Sequence, residues 1–332
     1  MYDIVTQSRI ACALTSLTVL SGCISPHSGT LGSLEEQTSF ASLAINTNED
    51  VAQSPNYQSV SEFEVPDTHE IGDQLIAFEG PGWESDKVGY RLYLDSRNAI
   101  DVFGKRIAKP ALQRIVKPGQ HHELDDWGMD VLKVGESVGV GGLAFWIDGE
   151  KQIFGDTDSL RAEVVSNGPQ TASVRVTHTG FAPGLMVEKV SALYTIRKGQ
   201  RHFEVNVSEL PENAPMLVTG IGRQDVSVLK FKRPENAAWG YVAGYINESL
   251  SGHPLGVATF VPSEQFASFQ LDQDEALILL SQSQNQTRYV STAAWAAEPN
   301  GISSAAEFMN YVEELSQSLA QEASIATRSS GD

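Results

Sequence analysis

The sequence has 332 residues, with 42 acidic side chains against 23 Lys and Arg, a formal charge of −19 and only two cysteines. Such acidity argues against nucleic acid and against anionic membrane surfaces as partners. Both cysteines, Cys12 and Cys23, fall near the N-terminus; the chain beyond them has no disulfide, thiol nucleophile or Cys-ligated metal, and must be held by core size.

The first predicted element is an export signal. Residues 1–22 carry one cation, Arg9, and an apolar run from Ile10 to Leu20. The run is too short to span a bilayer as a helix but has the length of a signal-peptide core. It ends in Leu20-Ser-Gly-Cys23, which resembles a bacterial lipobox; an ordinary secretory signal is the alternative. Acyl chains contribute about 0.8 kcal/mol per buried methylene, so a multiply acylated Cys23 anchors stably. Ile24 in the second mature position points to the outer membrane, with the lipid as the only membrane contact. Residues 23–66 are rich in Ser, Thr, Gln, Asn and Glu and show no sustained period, which predicts a flexible tether. From there to residue 323 nothing resembles a second linker, which predicts one domain followed by a disordered tail over 324–332.

Within that domain the pattern is β. Strands are predicted at Tyr90–Asp95, Ala162–Ser166, Ala172–His178, Leu185–Ile196, Arg201–Val207, Val226–Phe231, Trp239–Ile246, Leu255–Val261 and Ala276–Leu280. In Arg201–Val207, Phe203, Val205 and Val207 share one face. Turns such as Arg197–Gln200 separate the strands at hairpin-like distances. Many strands in this spacing predict a large β-sandwich rather than a βαβ array. The exception closes the chain: Ser304-Ala-Ala-Glu307 reads as a capping box, and Phe308, Val312, Leu315 and Leu319 form one helical stripe.

Three segments concentrate unusual chemistry. In Gly80–Asp95 a turn ends in Trp83, and Glu84, Asp86 and Lys87 lead into a strand. There Arg91, Tyr93 and Asp95 alternate with Tyr90, Leu92 and Leu94, so one face presents guanidinium, phenol and carboxylate at steps of about 7 Å. This set suits a sugar carboxylate with a phenol as acid or base; a structural Arg91–Asp95 pair is the alternative. The second segment, His121–Asp130, holds two histidines, four carboxylates and Trp127. Histidine works as base or acid near neutral pH, carboxylates orient it, and an indole gives a sugar ring a flat surface. His122, Asp126 and Asp130 are candidate ligands for a divalent cation, although their spacing matches no standard zinc or EF-hand motif. A solvated acidic loop is the alternative. The third, Gly135–Trp146, is glycine-rich but lacks the βαβ context and Lys-Ser/Thr of a nucleotide loop, so it predicts tight turns or close backbone approach. Arg223 is a second candidate for an anionic group, whereas His178, His202 and His253 are dispersed and read as structural.

Gly80-Pro-Gly-Trp-Glu-Ser-Asp86, Asn98-Ala-Ile-Asp-Val-Phe-Gly-Lys105 and His122-Glu-Leu-Asp-Asp-Trp-Gly-Met-Asp-Val-Leu-Lys-Val-Gly135 resemble the secreted bacterial domain-of-unknown-function family numbered 4861. The resemblance runs from about Asp67 to Glu322. It implies a place among loci for uronate-rich glycans such as pectin, hence an acidic oligosaccharide as partner. By size and strand count it also implies a sandwich like that of galactose mutarotase or polysaccharide lyases. Residue chemistry and resemblance meet in β-elimination: Arg91 or Lys105 neutralises the uronate, His122 or Tyr90 takes the C5 proton, and the other protonates the leaving oxygen. Asp126 supports the histidine, and Trp83, Glu84, Trp127 and Arg223 are expected to touch substrate. The sequence requires no cofactor and leaves a divalent cation open. Sugar mutarotation or isomerisation, hydrolysis by paired carboxylates, and glycan capture without turnover are the alternatives.

Overall fold

A computed structural model of the chain describes residues 38–48, 54–154, 157–235, 238–281 and 287–329. The expected signal segment, Cys23 and the tether up to residue 37 lie outside these residues.

The largest layer is a nine-stranded antiparallel sheet. Its strands run in the order Val226–Lys232, Trp239–Ile246, Leu255–Pro262, Thr287–Trp295, His202–Ser208, Lys189–Arg197, Thr171–Thr179, Ser159–Asn167 and Glu62–Val65. Two five-stranded sheets face it. One is built from Phe40–Ser42, Gly82–Glu84, Val88–Leu92, Ile100–Lys105 and Gly128–Asp130; the other from Glu150–Ile153, Ala144–Ile147, Met216–Gly222, Glu275–Leu280 and Phe266–Leu271. The fold is thus a large β-sandwich closed by a C-terminal helix, as the strand pattern predicts. Strand alternation sorts side chains between layers. Phe203, Val205 and Val207 enter the inter-sheet core with Val174, Tyr194, Trp83 and Tyr90. On Trp239–Ile246, Val242 and Ile246 face that core while Trp239, Tyr241, Ala243 and Tyr245 face outward.

That outward face explains the helix. Over Ala305–Ser329, Phe308, Val312, Leu315 and Leu319 recur at helical spacing and cover Tyr241, Tyr245, Ala258 and Phe260. The capping box is shifted by one residue: the Glu307 amide donates to Ser304 Oγ at 3.3 Å, but the Glu307 carboxylate accepts from the amide of Ser303 at 3.1 Å. Because the helix continues to Ser329, the expected tail over 324–332 is corrected up to that residue.

The expected tether is corrected as well. Phe40–Ser42 pairs with Gly82–Glu84, Ala44–Asn46 with Tyr57–Ser59, and Glu62–Val65 with Ser159–Asn167. These strands are too short and polar to announce themselves. They form because pairing satisfies their backbone groups, Glu62–Val65 at the edge of the longer Ser159–Asn167, and because Ala41, Leu43 and Val65 drop into the core. Two glycines set close approaches near the site. At Gly128 (φ +133°) a Cβ would lie 1.8 Å from the Gly104 carbonyl oxygen, and at Gly139 (φ +66°) 1.9 Å from that of Ile100. Only glycine lets these segments lie against Ile100–Lys105.

Candidate functional site

The five-stranded sheet holding Arg91 carries a concentrated charge cluster. Antiparallel register places Arg91 opposite Asp101, and Asp130 opposite Phe103 on the next strand. Arg91 is fully buried. Its Nη2 donates to Asp101 Oδ2 at 2.7 Å, to Asp130 Oδ2 at 3.2 Å and to the Tyr93 hydroxyl. Tyr93 passes a hydrogen bond on to Asp101 at 2.9 Å. Arg91 Nη1 donates to the Phe78 carbonyl at 2.8 Å and lies 3.6 Å from Glu79 Oε2. One guanidinium therefore meets three carboxylates. Burial, together with the neighbouring charge of Asp130, pushes the Asp101 carboxyl up from its ordinary range.

Two adjacent histidines complete the cluster and differ sharply. His121 is buried, edge-on to Phe103, and its Nε2 lies 3.2 Å from Arg91 Nη1. A guanidinium only donates, so His121 Nε2 accepts and the ring proton sits on Nδ1. Burial, and then the charge of Arg91, hold this imidazole far down, at about 2, and so neutral. His122 lies against His121 with ring centroids 4.1 Å apart and planes tilted by 47°, but its side chain is 54 % exposed. Its Nδ1 lies 3.3 Å from Asp130 Oδ2. Hydrogen bonding to Asp130 raises its pKa above the ordinary imidazole value against a smaller opposing effect of burial. The pair is thus one fixed neutral ring and one titratable base.

Both rings line a pocket of about 170 Å³ with Tyr57, Gly72, Gln74, Ile76, Phe78, Glu79, Pro118 and Gly119. Its walls are conformationally unusual. Gln74, Phe78 and Glu79 are non-glycine residues in the left-handed region, at φ +61°, +42° and +66°. Such residues cost about 1–3 kcal/mol each and collect at functional sites. Arg91, bonded to the Phe78 carbonyl, helps to hold the turn. Burial and the charges of Asp73 and Glu79 push the Tyr57 phenol up, which keeps it protonated. A larger depression of about 540 Å³ over the nine-stranded sheet includes Arg175, Asn206 and Arg288. Its arginines are already paired, Arg175 with Glu163 at 2.8 Å and Arg288 with Glu204 at 2.9 Å, and it contains no imidazole.

Of the residues expected from sequence, Arg91 and His122 come together, joined by Asp130 and by the unexpected His121, Asp101, Glu79 and Tyr57. The others do not. Tyr90 points to the opposite face of its strand, fully buried; its hydroxyl donates to the Arg201 carbonyl and accepts from the Ala293 amide at 2.8 Å. Trp83 is stacked in the core on Tyr194, centroids 4.9 Å apart, and offers no face to a sugar. Glu84 and Lys105 form a sealed pair at 2.5 Å, with Glu84 also accepting from the amides of Ala111 and Leu112. Trp127 is buried edge-on to Phe103 in a small apolar cluster, rather than presented for stacking. Asp126 is paired with Arg114 at 2.7 Å on the exposed surface. Arg223 donates to the Asp272 carbonyl beside the other five-stranded sheet. Asp95 pairs with Arg97, not with Arg91.

The expected metal ligands also change. Among the described residues, His121, His122 and Asp130 offer ligand atoms within 4.8 Å of one another, and Asp126 is not with them. Arg91 already donates to His121 Nε2 and Asp130 Oδ2. A divalent ion held at those two atoms would have to displace the guanidinium.

Fold and pocket together define a large β-sandwich with a buried Arg–carboxylate hub beside a histidine-lined pocket. The family described as Domain of unknown function (DUF4861) matches residues 31–325, and the chain belongs to it. No curated protein matches the sequence.

Proposed function

We propose that the chain is a carbohydrate-active enzyme that acts on uronic-acid-containing saccharides by proton transfer at His122. The observation that carries this reading is a half-exposed imidazole backed by a buried carboxylate, on the wall of a pocket that also holds a protonated phenol. His122 keeps its Nδ1 proton toward Asp130, which leaves Nε2 as the base. In β-elimination Nε2 takes the proton from C5 of the uronate, the C4–O bond breaks with its electrons going to oxygen, and a C4=C5 double bond forms. Tyr57, held protonated, gives its proton to the leaving oxygen. The uronate class rests on the expectation, from the sequence resemblance, that such chains occur among loci for uronate-rich glycans. The pocket has room for one ring rather than for a chain, being smaller than the roughly 300 Å³ at the low end for drug-sized ligands.

A second reading, isomerisation or mutarotation of a released uronic sugar, is favoured by the burial of both expected cations. Arg91 and Lys105 have no exposed surface and are already paired. Isomerisation needs a base and an acid but no free cation. Incubation of the purified chain with a panel of uronate oligosaccharides and monosaccharides separates the two. Unsaturated-product absorbance supports elimination, and new sugar NMR signals without chain cleavage support isomerisation. Binding that survives His122→Ala, with no turnover of any uronate, would sink both in favour of glycan capture.

A further inference from the structure

Packing against Phe103 and the bond from Arg91 account for only part of His121. Its ring is buried in the wall of the pocket, and its Nδ1 has no hydrogen-bond partner although it is shut off from water. An unsatisfied buried N–H costs about 1–3 kcal/mol, and native proteins rarely leave one without a reason. The unpaired group is an N–H rather than a lone pair because Arg91 occupies Nε2 as a donor. Arg91 is in turn fixed by Asp101, Asp130, Tyr93 and the Phe78 carbonyl. The orientation and tautomer of His121 are therefore set from behind by a rigid buried hub. The two ring nitrogens point in different directions, so the acceptor that Nδ1 lacks lies away from the hub. His122, tilted against it and half exposed, is the side chain that must shift, its contact with Asp130 kept, to admit one.

We infer that His121 is a catalytic residue whose Nδ1–H donates to the substrate oxygen on which negative charge develops when His122 removes the neighbouring carbon-bound proton. The ligand chemistry is an enolate or carboxylate oxygen beside the carbon that loses its proton. A neutral donor fixed in place does here what the expected cation, Arg91, cannot do itself, and Arg91 becomes a positioning residue acting through His121. The burial that keeps the ring neutral also keeps it a donor across the working pH range. This inference rests on the saccharide reading above, and the test separates the two.

Imidazole nitrogens of the 15N-labelled chain would be followed by NMR from pH 5 to 9, with His121→Gln and His122→Gln supplying the assignments. His121 is expected to carry its proton on Nδ1 and not to titrate, while His122 titrates. Adding D-galacturonate, and separately D-glucuronate, should move the His121 Nδ1 proton downfield. A proton on Nε2, or titration of His121 in this range, overturns the inference whatever the activity. A response at His122 without one at His121 overturns it and leaves the saccharide reading standing; silence at both removes both. On whichever sugar is turned over, His121→Phe should lower kcat by about 10²–10³-fold with KM little changed. His121→Gln, which keeps an N–H, should recover part of that loss, and an unchanged kcat in His121→Phe would refute the donor role.

Discussion

Two buried ion clusters sit on the same five-stranded sheet, and their difference separates structure from chemistry. Glu84 and Lys105 are both fully buried and balance one to one. The remaining bonds of Glu84 go to the amides of Ala111 and Leu112, and Lys105 also donates to the Ser85 carbonyl at 2.5 Å. Every group has a partner within the protein, and neither residue lines the pocket. The Arg91 cluster is as deeply buried at its centre but does not balance. Arg91 faces both Asp101 and Asp130, Glu79 lying closer to Arg97 at 3.1 Å, one imidazole nitrogen is left unpaired, and the outermost member, His122, meets solvent. Burial of charge is common to both. An incomplete set of partners beside a pocket belongs to one, and that is what points to a ligand.

The largest predicted effect tests the sealed cluster. Lys105→Met leaves the Glu84 carboxylate buried without its cation, and breaking such a pair costs about 3–5 kcal/mol. That is a large share of the roughly 5–15 kcal/mol stabilising a typical domain. Urea unfolding should show the loss, and galacturonate should still shift the imidazole signals of whatever remains folded. An unchanged unfolding midpoint would mean that the sealed pair is not a staple and would dissolve the contrast.

The next prediction reverses the readout. His122→Ala removes a half-exposed ring and its hydrogen bond to Asp130, so stability should fall by only about 0.5–1.5 kcal/mol. Turnover of the uronate substrate should nevertheless fall by about 10²–10⁴-fold, the range for loss of a general acid or base. Comparable losses of stability and activity would mean that the pocket histidine is structural like Lys105.

A smaller effect concerns pH. The folded pKa of His122 is raised by Asp130. Its contribution to stability is therefore complete below the ordinary imidazole value and fades as pH rises through the folded value. As a base His122 must be neutral, so kcat/KM should rise with pH through that same folded value. Asp130→Asn withdraws the hydrogen-bonding charge, so the rising limb of kcat/KM should move to lower pH. A limb that stays in place would show that another group is the base. Asp101, also raised by burial and by Asp130, has the same sign, its contribution fading as pH rises through its folded value.

How much of this was legible in the sequence depends on which period carried the information. The long strands Thr171–Thr179, His202–Ser208 and Trp239–Ile246 alternate over enough residues to declare themselves, and the stripe from Phe308 to Leu319 is as plain. Short strands such as Gly82–Glu84 and Gly128–Asp130 are set by tertiary pairing and by glycine contacts that no local pattern encodes. The site divides similarly. Alternation placed Arg91 and Tyr93 on one face, and the density of titratable groups marked His121–Asp130. It did not indicate that Tyr90 and Trp83 face the core, since an aromatic residue reads alike on a sugar platform and in a sandwich interior. Tyr57 and Glu79 were invisible because the segment around Tyr57 read as tether and Glu79 lies in a strained turn.

The smallest predicted effect is the sharpest test of the boundary between the site and its surroundings. Asp126 lies in the same acidic loop as His122 and would be its natural partner by sequence proximity alone. Its carboxylate instead accepts a forked contact from Arg114 at 2.7 and 3.0 Å, at the exposed surface. Arg114 holds its pKa below the ordinary carboxylate range. Solvent and salt screen such a pair, so Asp126→Ala should leave the unfolding midpoint, the turnover rate and the pH limb set by His122 where they are. The comparison with Asp130→Asn is direct, because the two carboxylates are four positions apart and only one belongs to the buried hub. A pH limb that moves with Asp126→Ala as it does with Asp130→Asn would mean that the exposed carboxylate swings onto His122 when ligand is bound. The inner half of the loop would then no longer suffice to define the base.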